Sequence, residues 1–200
     1  MAFVKPNRPA LRYQGGKFQL ADKIISYFPI HRIYAEPFGG GAGIMLQKPP
    51  CKLEVYNDLN DDVVNFFRVL RDQEKELIRA IELSPFSREE YSLAVKNIHT
   101  CENALERARL FFIWAWQGRS RAGVQKSGGW RFMRTDNRHN TTVYDWNNIG
   151  HLWDVAARIK QWQIEKMDAL KFIQTYDGDD TFFMLIHPTL WIPEVKKTEN

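Results

Sequence analysis

RIYAEPFGGGAGIMLQK, residues 32–48, reads as a short strand, a glycine turn and then a helix. Ile33 to Glu36 begin it, the glycines of EPFGGGAG (Glu36 to Gly43) interrupt it, and Ile44 to Leu46 resume an apolar run. Glycines let a backbone approach a ligand closely, and the amides at the start of the following helix are then free to meet it. A purely structural tight turn accounts for the same residues, and this stretch alone does not separate the two readings.

Working outward, KLEVYNDLNDDVVNFFRVLR (52–71) repeats the plan. A strand at Leu53 to Tyr56 is followed by an acidic turn, then by a helix with Val63, Phe66, Phe67 and Leu70 on one side. Upstream, KFQLADKIISYFP (17–29) places Leu20, Ile24, Ile25 and Phe28 at helical spacing and stops at Pro29. Strand–turn–helix units in series predict an α/β fold with a parallel sheet. Residues 71 to about 115 then read as helices without strands. Residues 118–148 are polar, basic and rich in Gly, Asn and Trp, and IGHLWDVAARIKQW (149–162) returns to helix. QIEKMDALKFIQTYDGDDTFFMLI (163–186) resumes the earlier style, with a strand, a helix from Ala169 and an apolar strand from Thr181 to Ile186. The expected organisation is a core in residues 1–70, an insertion over 71–160, and a return to the core over 161–200.

The chain has 200 residues, 44% hydrophobic and 26% charged, enough for one cored domain with an insertion or for two small domains. No run approaches the ~18 apolar residues of a membrane span, and the N-terminus lacks the apolar centre of a signal peptide. No membrane association is expected. Cys51 and Cys101 form no metal-ligand or redox spacing, so free thiols and a cytoplasmic location are expected. Net charge is +4 and the pI about 9.0. The excess is local: Arg107, Arg109, Arg119, Arg121, Lys126, Arg131, Arg134 and Arg138 face one acid, Asp136, in that interval. Trp114, Trp116, Trp130, Phe132 and Trp146 interleave with them. This pattern suits an anionic partner; tryptophans in a core with arginines on a solvated face would also produce it. Trp114 and Trp116 are expected to be mostly core.

In YNDLND (56–61), Asp58 ends the second strand, where an acid in doubly wound folds accepts hydrogen bonds from ribose hydroxyls. It could instead cap the next helix, but Asp61 or Asp62 would serve equally and free it. RYQGGK (12–17), taken alone, is a loop with a solvated lysine. In combination the motifs say more. An aromatic-x-Gly-Gly-Lys start, then YAEPFGGGAG, then NDLNDDVVNFF, in that order and spacing, resembles the Dam-type (D12 class) DNA adenine-N6 methyltransferases. GGWRF (128–132), RIKQWQIEKMDALKFI (158–173) and YDGDDTFF (176–183) continue the likeness up to Leu185. The resemblance implies a Rossmann-like α/β methyltransferase core, an inserted, mainly helical target-recognition domain and S-adenosyl-L-methionine as methyl donor. By family match, Tyr13, Gly15, Gly16 and Lys17 would contact the donor, Glu36, Pro37, Phe38, Gly39 and Gly41 would form its pocket, Asp58 would hold the ribose, and Asp168 would lie near the adenine. The partner would be double-stranded DNA, met by the loop Gln117 to His139 through Arg119, Arg121, Lys126, Arg131, Arg134 and Arg138, with phosphates taking the positive charge. A cognate restriction endonuclease and a monomeric chain are also expected. Weaker alternatives are a non-catalytic DNA-binding remnant and an RNA-directed methyltransferase.

MLIHPTLW (184–191) breaks the resemblance. The family's strand ends here in Asp-Pro-Pro-Tyr. The Asp side chain and a proline carbonyl accept hydrogen bonds from the adenine amine, and the Tyr stacks on the flipped base. Ile186, His187, Pro188 and Thr189 occupy those places, so no intact catalytic set is expected; a neutral His187 could accept one hydrogen bond at most. Asp-Pro-Pro-Tyr written GAT CCA CCC TAC and read one base late spells Ile-His-Pro-Thr. A frameshift near codon 185 is therefore expected, with residues 186–200 out of frame, the C-terminal strands missing, an exposed sheet edge, poor solubility and little or no activity.

Overall fold

The computed structural model describes residues 3–119, 128–132 and 141–186. Four strands make the sheet among these residues: β1 (Ile33–Glu36), β2 (Leu53–Asn57), β3 (Trp162–Glu165) and β4 (Thr181–Phe183). All pairings are parallel, in the order β3-β2-β1-β4. Tyr34, Ala35, Val55 and Tyr56 are fully buried, as the central strands of a parallel sheet covered on both faces must be. The mixed α/β architecture agrees with a Rossmann-like methyltransferase core. β4 is an edge strand among the described residues and ends at Phe183, short of the predicted Ile186. Its ladder runs one bond further, Met184 N–H donating to the Ala35 carbonyl at 2.9 Å.

Two helical expectations change. The stretch after the glycine turn forms no regular helix. It is a run of helical turns, with Leu46 N–H to Ala42 O (3.0 Å) and Lys48 N–H to Ile44 O (2.9 Å), and the Pro49–Pro50 pair prevents continuation. The predicted helix before Pro29 is a 3₁₀ turn at Phe18–Leu20 leading into the short α1 (Ala21–Ile25). α2 (Asp61–Asp72) forms as expected and buries Val63, Phe66, Phe67 and Leu70. Its cap is Asn60, not Asp61 or Asp62; the Asn60 side chain accepts from the Asp62 and Val63 amides.

Between β2 and its neighbour β3 the chain inserts α2, α3 (Glu74–Glu82), α4 (Arg88–Asn97), α5 (Ala104–Gln117), α6 (Thr141–Asn147) and α7 (His151–Ile159). These helices share one hydrophobic core with the sheet. The Phe66 ring on α2 stacks 6.0 Å from Phe112 on α5, and Trp116, Trp146 and Leu152 lie in the same cluster. Trp116 is buried and Trp114 half-buried, in line with their expected core role. A buried charge cluster fixes the return to the sheet. Arg158 on α7 donates to Glu54 on β2 (2.7 Å) and to the Met45 and Lys48 carbonyls (3.0 and 3.1 Å), while Lys48 also pairs with Glu54 (3.1 Å). α8 (Ala169–Tyr176) packs Phe172 on the other face, against Ala35 and Val55. Both cysteines are free thiols, and no helix among the described residues is long and apolar enough to cross a membrane.

Candidate active site

The chain runs from β1 to β2 and β3 on one side and returns at β4 on the other. The strand order therefore reverses at β1, and a crevice opens at the carboxyl ends there, the usual ligand position in open α/β sheets. The groove encloses ≈ 950 Å³, counting the part open to solvent. It is lined by Tyr13 to Lys17, Glu36 to Gly41, Gly43, Ile44, Asp58, Leu59, Ala169, Met184 and Ile186. Ten of the eleven residues expected at the donor site thus share one surface: Tyr13, Gly15, Gly16, Lys17, Glu36, Pro37, Phe38, Gly39, Gly41 and Asp58.

Asp168 stands apart. It is exposed and caps α8, its Oδ1 accepting from the Leu170 and Lys171 amides at 2.9 and 3.2 Å, and its neighbour Ala169 lines the groove instead.

The loop after β1 is held by the end of β2. Gly39 N–H donates to the Asn57 carbonyl (2.8 Å), Gly40 N–H to Asp58 Oδ2 (2.8 Å), and the Tyr56 hydroxyl to the Gly40 carbonyl (2.7 Å). Asp58 also accepts the Asn60 amide at Oδ1 (2.8 Å). The glycines answer to the protein's own packing. A Cβ on Gly39 would sit 2.2 Å from the Tyr56 ring, and Gly40 adopts φ +47° beneath the Tyr13 ring. The sequence predicts close approach to a ligand; the structure displays close approach to Tyr56 and Tyr13.

Asn57 escaped the sequence reading. Fully buried, it donates to the Pro37 and Met167 carbonyls (2.9 and 3.0 Å) and accepts the Met167 amide (2.9 Å), tying the loop after β1 to the turn before α8. An asparagine ending a buried strand was the available signal, since a buried amide must find partners. Gly40 and Gly43, within the Glu36 to Gly43 stretch expected to form the pocket, also line the groove, and Gln14, Ile44, Leu59 and Met184 are further lining residues for which no role was expected.

Electrostatics are uneven along the groove. Burial is the main force raising the Glu36 carboxyl, which reaches about 7; the Tyr34 hydroxyl, donating at 2.6 Å, pulls the other way. Tyr13 is raised well above an ordinary phenol, first by burial and then by the charge of Asp58. Lys17 Nζ donates to the Gly15 carbonyl at 2.6 Å. No group of three metal-ligating side chains occurs among the described residues. At the β4 end, Met184 and Ile186 bring apolar side chains to the groove; His187, Pro188 and Thr189 lie outside the described residues.

The basic segment divides. Arg107 pairs with Asp62 (2.6 Å), and Arg109 pairs with Glu106 (2.7 Å) and Glu90 (3.1 Å), so two of its eight cations are neutralised inside the fold. Gln117, expected to open a DNA-facing loop, is fully buried: it accepts the Ser87 amide and donates to the Pro85 carbonyl. Arg119 and Arg131 lie on a short antiparallel bridge, Gly118 opposite Trp130. Arg121, Lys126, Arg134 and Arg138 fall outside the described residues.

A family model described as D12 class N6 adenine-specific DNA methyltransferase matches residues 13–184, most of the chain. Among curated proteins, the chain is 31% identical over 118 residues to a "DNA N-6-adenine-methyltransferase" of Escherichia phage P1, covering 55% of this chain and 16% of that protein. It is 27% identical over 112 residues to a "DNA adenine methylase" of Salmonella typhi, covering 54% and 40%. Over 75 residues it is 33% identical to the "Type II methyltransferase M1.LlaDCHI" of Lactococcus lactis subsp. cremoris, covering 37% and 26%. The matched stretches span less than half the length of these relatives.

Proposed function

The chain belongs to the D12 class N6 adenine-specific DNA methyltransferases, and from that premise we propose that its groove holds S-adenosyl-L-methionine and its acceptor is adenine in duplex DNA. When bound, the donor supplies an electrophilic methyl group on a sulfonium. The groove residues suit it: an ammonium at Lys17 for a carboxylate, a carboxylate at Asp58 for a diol, and the Tyr13 and Phe38 rings as apolar walls. Target recognition is assigned to residues 71–160, between the core pieces 1–70 and 161–200, and action on DNA places the protein in the cytoplasm. A cognate endonuclease is part of this reading, suggested by the name of the Lactococcus relative.

The observation that carries the reading furthest is Ile186 at the groove. The adenine amine is a poor nucleophile, because its lone pair is delocalised into the ring. A carboxylate accepting its hydrogens would localise that pair, and isoleucine has no acceptor. This chain therefore binds the donor and transfers methyl groups poorly or not at all. A binding protein that has kept its groove but lost its chemistry is the natural second reading.

The test measures labelled methyl incorporation into unmethylated duplex DNA, with donor affinity determined by calorimetry. The unaltered chain binds the donor without incorporation. The triple variant Ile186→Asp, His187→Pro, Thr189→Tyr regains incorporation. Efficient transfer by the unaltered chain overturns the impairment, and absence of donor binding overturns the cofactor assignment.

A further inference from the structure

Arg88 and Arg119 differ from Arg107 and Arg109. Arg107 and Arg109 are ion-paired to carboxylates. Arg88 and Arg119 have no carboxylate partner among the described residues and lie over aromatic rings instead. Arg88 Cζ is 4.8 Å from the Trp130 ring centroid and 5.1 Å from that of Phe132, and Arg119 Cζ is 5.0 Å from Phe132. Trp130 and Phe132 are stacked, 15° apart in plane with centroids separated by 6.0 Å.

The arrangement is built rather than incidental. Gln117 holds both halves: its Oε1 accepts the Ser87 amide (3.1 Å), just before Arg88, and the Trp130 indole N–H (3.4 Å). The bridge beside it is closed by Arg119 N–H to the Gly129 carbonyl (2.9 Å) and Arg131 N–H to the Gln117 carbonyl (2.7 Å). Of the two acids that follow Arg88 in sequence, Glu89 and Glu90, the second is engaged by Arg109. Two guanidinium groups thus share one phenyl ring and must lie within about 10 Å of each other. That separation is comparable to the screening length of ~8–10 Å in physiological salt, so they still repel. Stacking engages the faces of guanidinium groups and leaves their N–H edges for a planar or tetrahedral anion.

We propose that Arg88 and Arg119, carried on the Trp130–Phe132 stack, form a phosphate-binding edge for the backbone of duplex DNA, separate from the groove. Arg88 comes from the start of α4, outside the basic run, and nothing in its local sequence marks it. The inference rests on the reading of the chain as a DNA-binding methyltransferase relative and supplies a backbone contact for it. Because phosphates carry no sequence information directly, the contact adds affinity equally on any duplex.

The test is a salt series of duplex binding by fluorescence anisotropy on two unrelated sequences, for the unaltered chain and for Arg88→Gln, Arg88→Lys and Arg119→Gln. Each Gln variant lowers the magnitude of the slope of log K against log salt by about 0.9, equally on both sequences. Arg88→Lys retains the slope, because the charge is kept. Donor binding and the melting temperature, measured on the same samples, separate loss of contact from loss of fold. An unchanged slope in folded Arg88→Gln overturns the proposal alone. If Arg88→Gln unfolds, Arg119→Gln and Arg88→Lys decide, and a slope unchanged by the first or lost in the second overturns it. A folded chain that binds no duplex overturns the underlying reading as well.

Discussion

Asp58 accepts the Gly40 amide at 2.8 Å, so a carboxylate at the end of β2 fixes the loop that follows β1. The same side chain takes the Asn60 amide, and through it orders the start of α2. Asp58→Ala removes both charge-assisted bonds and is expected to lower stability by about 2 kcal/mol. Asp58→Asn keeps an acceptor and recovers part of this, yet binds the donor more weakly because the charge is gone. Urea unfolding and calorimetry check the pair; equal stability of the two variants would contradict the loop-fixing role.

Gly39 has no room for a side chain against Tyr56. Gly39→Ala is expected to cost about 1–3 kcal/mol through overpacking. Tyr56→Leu in the same chain gives the new methyl space, so the double variant loses less than the sum of the singles. A double-mutant cycle in chemical denaturation reads the coupling directly, and strict additivity would refute the steric cause.

Two buried groups give stability opposite slopes with pH. The Glu36 carboxyl is raised from 4.5 to about 7 by burial. Its raised value means the folded state holds a proton that the unfolded state has released, so its contribution falls as pH climbs from about 4.5 to about 7. The His151 imidazole is lowered from 6.5 to about 4, first by burial and then by Arg8. The unfolded state takes up that proton first, so this contribution is lost as pH falls from about 6.5 to about 4. Each amounts to about 3 kcal/mol, and in the unaltered chain they largely cancel. Glu36→Gln leaves stability rising with pH between about 4 and 6.5, and His151→Gln leaves it falling between about 4.5 and 7. Melting curves across pH 4 to 8 test this, and parallel profiles for both variants would refute it.

Arg158, 4% exposed, bridges the helical segment and the sheet. Arg158→Ala leaves Glu54 with Lys48 alone in a buried site and is expected to cost about 3–5 kcal/mol. Arg158→Met combined with Glu54→Gln and Lys48→Met removes all three buried charges together and is milder. Comparable unfolding midpoints for Arg158→Ala and the unaltered chain would exclude the clamp.

Local pattern was enough for the strand–turn–helix units. The apolar runs of β1 and β2, the α2 stripe of Val63, Phe66, Phe67 and Leu70, and the glycine turn all depend on residues close in sequence, where period and propensity act. The motifs RYQGGK, EPFGGGAG and YNDLND likewise hold ten groove residues that the sequence alone predicts. They gave Asn57 no role, because that role lies in reaching Pro37 and Met167, 20 and 110 positions away. They mistook the helix start after Gly43, because two prolines outweighed an apolar run. Arg107 and Arg109 counted as free charge in the sequence, where Asp62 lies 45 positions from Arg107 and Glu90 lies 19 from Arg109; folding brings them to salt-bridge distance. The sequence by itself determined the order of the strand–turn–helix units and the family to which the chain belongs. Only the tertiary structure decided which of the described cations are ion-paired, which glycines lack room for a side chain, and that Ile186 lines the groove. Those properties belong to distances between segments remote in the chain, and local periodicity carries no record of them.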